Sequence, residues 1–169
     1  SNRWLVHPML APALAVDRLG AHIRWLRSDP AIRIVHVVRQ DNVAWLRSKM
    51  LADATGRYSE AQYPDGMQLS VSIGEARRRV ATKLWIDTCL AALSFTNPYL
   101  RVSHESFVSD NLAGAKRIVE FLGCDASELP LMALRHQSQS RLSQATLKNS
   151  EEVRCALGTL AYLRFGDWM

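Results

Sequence analysis

Three observations predict an α/β domain, a parallel sheet with helices on its faces. Strand-like and helix-like segments alternate along the chain. The near-continuous apolar run Ile32-Arg33-Ile34-Val35-His36-Val37-Val38 suits a strand buried on both faces. Val80, Leu84, Thr88 and Ala91 recur at helical spacing, with Ala81, Trp85 and Cys89 on the adjoining stripe, which gives one long helix a wide buried face and places Trp85 in the core.

The elements follow in order. Arg3-Trp4-Leu5-Val6-His7-Pro8 reads as a short strand over 3–7, stopped by its proline, and a helix is expected over 12–27. The apolar strand spans 32–38, and Asp41-Asn42 supply N-cap chemistry for a helix over 42–55. A polar loop carrying Gly56, Pro64 and Gly66 leads to a long helix over 74–94, then to a strand over 99–104. Helices near 111–122, 126–134 and 150–165 complete the chain, with the polar segment from Arg135 to Lys148 as a loop between the last two.

A chain of 169 residues is one domain by length, and 48% hydrophobic content is enough for a sizeable core. No apolar run approaches the roughly 20 residues that span a bilayer, and no signal-peptide pattern opens the chain, so the cytoplasm is the expected location. Cys89, Cys124 and Cys155 lack metal-type spacing and read as buried free thiols; no metal site is expected. The net charge of +5 rests on arginine, whose planar fork matches phosphate and sulfate bidentately. Arg77-Arg78-Arg79 opens a helix, where cations are disfavoured, and reads as a solvated face or an acidic-partner patch. The five tryptophans are scattered rather than interleaved with basic residues, which argues against nucleic acid.

Arg39 stands at the carboxyl edge of the expected sheet, where α/β folds bind ligands. Ser48 lies about two turns into the next helix, so its hydroxyl can fold back toward whatever Arg39 holds. The pair has the makings of an anion site.

A strand, an arginine, an Asn- or Asp-containing turn and a helix carrying a serine also resemble the second cofactor motif of sulfotransferases that use 3′-phosphoadenosine-5′-phosphosulfate (PAPS), especially their bacterial carbohydrate-type branches. Tyr99-Leu100-Arg101-Val102-Ser103-His104-Glu105-Ser106-Phe107 looks like the family's strand ending in Tyr-Glu-x-Leu. Ala115-Lys116-Arg117-Ile118-Val119-Glu120-Phe121-Leu122-Gly123-Cys124 is similar to the helix that ends in Phe-Leu-Gly. Arg135-His136-Gln137-Ser138, Leu142-Ser143, Asn149 to Val153 and Leu157-Gly158-Thr159 resemble the basic loop and closing helices. The resemblance implies a P-loop-like parallel sheet and places the nucleotide's 3′-phosphate on Arg39 and Ser48. It makes the segment from Arg135 to Lys148 a cofactor lid, with Arg135 and Arg141 as its cofactor-binding residues.

Family members open with a Gly-rich loop that grips the 5′-phosphosulfate end, and no glycine cluster of that kind stands among these eight glycines. The chain therefore looks like the C-terminal part of such an enzyme, its N-terminal strand-loop unit missing, and is expected to be inactive alone. Sulfuryl transfer needs a base for the acceptor hydroxyl. His7 resembles the family's strand-end catalytic histidine, although Leu5 stands where those relatives carry a lysine. A capped histidine beside a turn-forming proline is the alternative for His7. His104 with Glu105 is a second base and orienter, while Glu105 also reads as an anchor for the following helix. His36 reads as a satisfied core residue.

The partners implied are PAPS, its product 3′-phosphoadenosine-5′-phosphate (PAP), and a hydroxyl-bearing small molecule, glycan or glycolipid. A sheet with an exposed edge favours homo-oligomers. The rival to an enzyme is a non-catalytic remnant of the fold that acts as a binding or interaction module.

Overall fold

The computed structural model describes residues 12–56, 66–125 and 146–162. The chain is α/β and mostly helical, with two small parallel sheets among the described residues. The elements are α1 (Pro12–Ser28), β1 (Ile34–Val38), α2 (Asn42–Thr55), β2 (Gln68–Leu69), α3 (Ile73–Ala91) and β3 (Tyr99–Ser103). They are followed by α4 (His104–Ser109), α5 (Asn111–Leu122), β4 (Thr146–Leu147) and α6 (Ser150–Leu157). Single 3₁₀ turns extend α3 over Ala92–Phe95 and α6 over Gly158–Tyr162.

β1 and β3 pair in parallel with Ile34 opposite Tyr99, His36 opposite Arg101 and Val38 opposite Ser103. β2 and β4 form the second parallel pair, Leu69 opposite Leu147. Asn97 closes the foot of the first sheet, because its buried carboxamide donates to the carbonyls of Leu26 (3.1 Å) and Asp29 (2.9 Å) at the end of α1. At the same end the Arg33 guanidinium donates to the Phe121 carbonyl and packs by Gly123, a left-handed C-cap at φ 79°. A cation at the C-terminus of α5 complements the helix dipole.

The caps of three helices give a physical reason for where they start. Asp41 caps α2 by accepting from Ala44 N at 2.8 Å, Ser72 caps α3 through Glu75 N, and Asp110 caps α5 through Ala113 N. The main core joins α2, α3, β4 and α6: Leu46, Val80 and Val153 are wholly buried, with Val43, Val71, Ala76, Leu147 and Leu157 around them.

Several expectations need correction. β1 is buried on one face only: His36 and Val38 face inward, whereas Val37 is 55% exposed. Trp85 is 50% exposed and not core, because the buried stripe of α3 runs through Ala76, Val80 and Lys83. Cys124 and Cys155 are exposed and Cys89 is half-buried; all three are free. The strand expected over 99–104 ends at Ser103, whose hydroxyl accepts from Ser106 N and starts α4. Helix 74–94 is α-helical only to Ala91, and of the helix expected over 150–165 the described part is α-helical to Leu157 and 3₁₀ over Gly158–Tyr162. Of the arginine run, Arg78 is solvated, but Arg79 pairs with Glu75 (2.8 Å) and Asp53 (2.7 Å), and Arg77 donates to the Ala156 carbonyl. The strand expected over 3–7 and the helix over 126–134 lie outside the described residues.

Candidate functional site

β1 delivers Arg39 one residue past its last ladder pair, and α2 carries Ser48 back to it. Arg39 Nη1 donates to Ser48 Oγ at 2.9 Å, and Ser48 Oγ donates to the Ala44 carbonyl at 3.1 Å. The hydroxyl therefore spends its proton on the helix and its oxygen on the guanidinium. Burial lowers the Arg39 pKa from its usual value; Glu105 opposes this, Arg47 adds to it and Asp41 opposes it.

Arg47 is the residue that sequence reasoning missed here. It precedes Ser48 on α2, and its Nε is buried without a hydrogen-bond partner among the described residues. Its charge acts on Arg39 as a like charge. Two like charges that act on each other make this end of β1 favourable to an anion. The signal was the adjacent pair Arg47-Ser48, half of which was used.

Glu105 holds the turn between β1 and α2. Its carboxylate accepts from Gln40 N (3.0 and 3.1 Å), Asp41 N (3.1 Å) and Ser103 Oγ (3.0 Å). Burial pushes this carboxyl up, but the Asp41 and Gln40 amides, with its own amide and Ser103, outweigh it and leave the pKa lowered. Glu105 is thus an anchor by hydrogen bonding, though of the turn after β1. His104 is half-buried, and burial, then the Arg39 charge, lower its pKa; the Glu105 charge opposes them.

Behind Arg39 a polar chain runs through the protein. Tyr99 Oη lies 2.5 Å from His36 Nδ1, and His36 Nε2 lies 3.3 Å from Asp87 Oδ1. Lys83 Nζ donates to Asp87 Oδ2 at 2.8 Å and to the Arg39 carbonyl at 2.9 Å. His36 is buried and bonded, as expected of it. Burial raises the Asp87 pKa, but the His36 hydrogen bond and the charge and hydrogen bond of Lys83 prevail and lower it.

Past Arg39, a cleft of about 560 Å³ opens among β3, α4 and α5, lined by Gln40, Arg101, Ser103, Phe107, Asp110 and Arg117. Hydroxyls, guanidiniums and one aromatic ring suit a hydroxylated or anionic group. Among the described residues no cluster of three or more His, Cys, Asp or Glu residues could hold a metal ion, and no helix is long and apolar enough to cross a membrane. The structure brings Arg39 and Ser48 together; His7, Arg135 and Arg141 lie outside the described residues. Comparisons with protein-family models, curated proteins and solved structures each return no match.

Proposed function

We propose that the chain is a sulfotransferase-like domain that holds the 3′-phosphate of PAPS on Arg39 and Ser48. The reaction in which such a domain takes part passes the sulfuryl group to a hydroxyl of a carbohydrate or lipid-linked acceptor. The observation that carries this reading is the 2.9 Å bond between Arg39 Nη1 and Ser48 Oγ at the carboxyl end of a parallel strand. A guanidinium already aimed at a hydroxyl is preorganised for a phosphate oxygen. Arg47 adds a second charge, and the cleft beside Gln40 offers space for a neighbouring group.

In this reading the acceptor oxygen attacks sulfur in line. The new S–O bond forms as the bond to the 5′-phosphate of PAP breaks, and the acceptor proton goes to a base, for which His7 is the candidate. Arg135 and Arg141 close over the nucleotide.

Titration with PAP, followed by calorimetry and thermal shift, tests the reading. A saturable upward shift in melting temperature is expected, lost in Arg39→Ala. Equal behaviour of wild type and Arg39→Ala sinks it.

The exposed aromatics Trp25, Trp85 and Phe95 favour the second reading, an interaction module without catalysis. They stand on α1, α3 and the turn after α3, elements that touch one another. PAP binding without turnover, together with a partner lost in Trp85→Ala, is the result expected from that reading.

A further inference from the structure

The peptide linking Arg39 to Gln40 is held from both sides by charges of opposite sign. Its carbonyl oxygen accepts from Lys83 Nζ at 2.9 Å, and its N–H donates to both Glu105 oxygens, at 3.0 and 3.1 Å. Lys83 comes from the middle of α3 and Glu105 from the first turn of α4, so two distant segments meet on one peptide unit. The β1–β3 ladder ends at Val38, opposite Ser103, and this peptide lies beyond it. Fixing its plane on the C-terminal side of Arg39, with the ladder fixing the strand on the other, sets the direction in which the Arg39 side chain leaves the chain.

The geometry points to Lys83 as the positioning residue for Arg39. Its ammonium, itself held by Asp87, fixes the peptide that aims the Arg39 guanidinium at Ser48. The inference rests on the anion-site reading for its ligand, but not for the pose. Stability is a poor account of Lys83. Its side chain is 9% exposed and that of Asp87 13%, and taking both charges out of water offsets most of their attraction. One of the two hydrogen bonds of Lys83 stays on α3, and the other leaves it for Arg39. The ammonium also lies 5.9 Å from the centre of the Trp45 ring, on the helix that carries Ser48.

The test uses the whole chain with Lys83→Met and Asp87→Asn combined, which removes both charges without leaving a buried carboxylate unpaired. Side-chain Nε–Hε spectra of ¹⁵N-arginine protein, recorded without ligand, read the pose directly, the Arg39 signal being the one that Arg39→Ala deletes. That signal is expected to shift or broaden in the double variant while melting stays cooperative. Arg33, tied to the Phe121 carbonyl, serves as the internal control and keeps its signal. The PAP dissociation constant is expected to rise about tenfold, and Lys83→Arg to recover part of it.

An unmoved Arg39 signal in a cooperatively melting double variant overturns the proposal. If that variant does not fold, Lys83→Gln, whose donor falls short of the carbonyl, is held to the same criterion. A wild type that binds no PAP refutes the anion-site reading, while the ligand-free spectra still decide the role of Lys83.

Discussion

Glu105 accepts the backbone N–H of Asp41 at 3.1 Å, and Asp41 in turn caps α2 by accepting from Ala44 N at 2.8 Å. Two carboxylates in series thus fix the turn that presents Arg39. Glu105→Gln replaces part of an all-acceptor carboxylate with an amide donor that faces amide donors. A loss of about 1–3 kcal/mol in urea unfolding is expected. Asp41→Ala removes one cap and is expected to cost about 1 kcal/mol. An unfolding midpoint for Glu105→Gln equal to wild type would show that the bonds to Gln40 and Asp41 contribute nothing.

The same carboxylate, with Asp87, gives the protein an acid limb. Both pKa values are lowered below their ordinary values, 4.5 for Glu105 and 3.8 for Asp87. Below those values the unfolded chain takes up protons that the folded chain still refuses, so it binds more protons and stability falls as pH falls. The contribution is fully present above pH 4.5 and is lost as pH drops through the folded values. Urea midpoints of wild type and Glu105→Gln measured down this range should converge toward acid. A constant difference between the two would contradict the assignment.

How far the sequence could be read depended on what each residue advertises. The apolar run ending in Arg39 and the cap at Asp41 are local signals, so β1, α2 and the meeting of Arg39 with Ser48 were legible. α4 was not, since Ser103 reads as one more strand residue until its hydroxyl is seen to cap Ser106 N. Trp85, on the stripe beside Val80 and Leu84, reads as core in the sequence, and nothing local marks Lys83 as an inward-pointing residue. The structure exposes Trp85 and buries Lys83, because the α3 face that holds Ala76 and Val80 continues through Lys83 toward the Arg39 carbonyl. Only that long-range acceptor shows why a lysine points inward.

In the proposed anion site Arg47 would add charge without a hydrogen bond of its own from Nε, which is buried and unpartnered among the described residues. Arg47→Leu should therefore weaken PAP binding about three- to tenfold at low salt through lost Coulomb attraction. The deficit should shrink at about 1 M salt, where screening acts over about 3 Å. If Ser48 bonds the 3′-phosphate directly, as proposed, the deficit of Ser48→Ala should persist there. Calorimetric titrations of the two variants at both ionic strengths separate the roles; a salt-independent deficit in Arg47→Leu would assign that residue a direct bond instead.

Tyr99 carries the alkaline counterpart of the acid limb. Burial pushes its phenol up to about 12; Arg101 opposes this and the Asp87 charge adds to it. Between the ordinary value of 10.0 and about 12, the unfolded chain has released the phenolic proton while the folded chain keeps it. The folded state then binds more protons, so stability falls as pH rises through that interval and levels off above it. Tyr99→Phe removes this slope. It also leaves His36 Nδ1 without its 2.5 Å partner, so the variant should be less stable than wild type at neutral pH. The difference between the two proteins should narrow as pH climbs from 10.0 toward 12, measured as urea midpoints alongside the ultraviolet titration of phenolate. A difference that holds steady across that interval would mean that the Tyr99 phenol titrates alike in both states, and that its contact with His36 does not keep the proton in place.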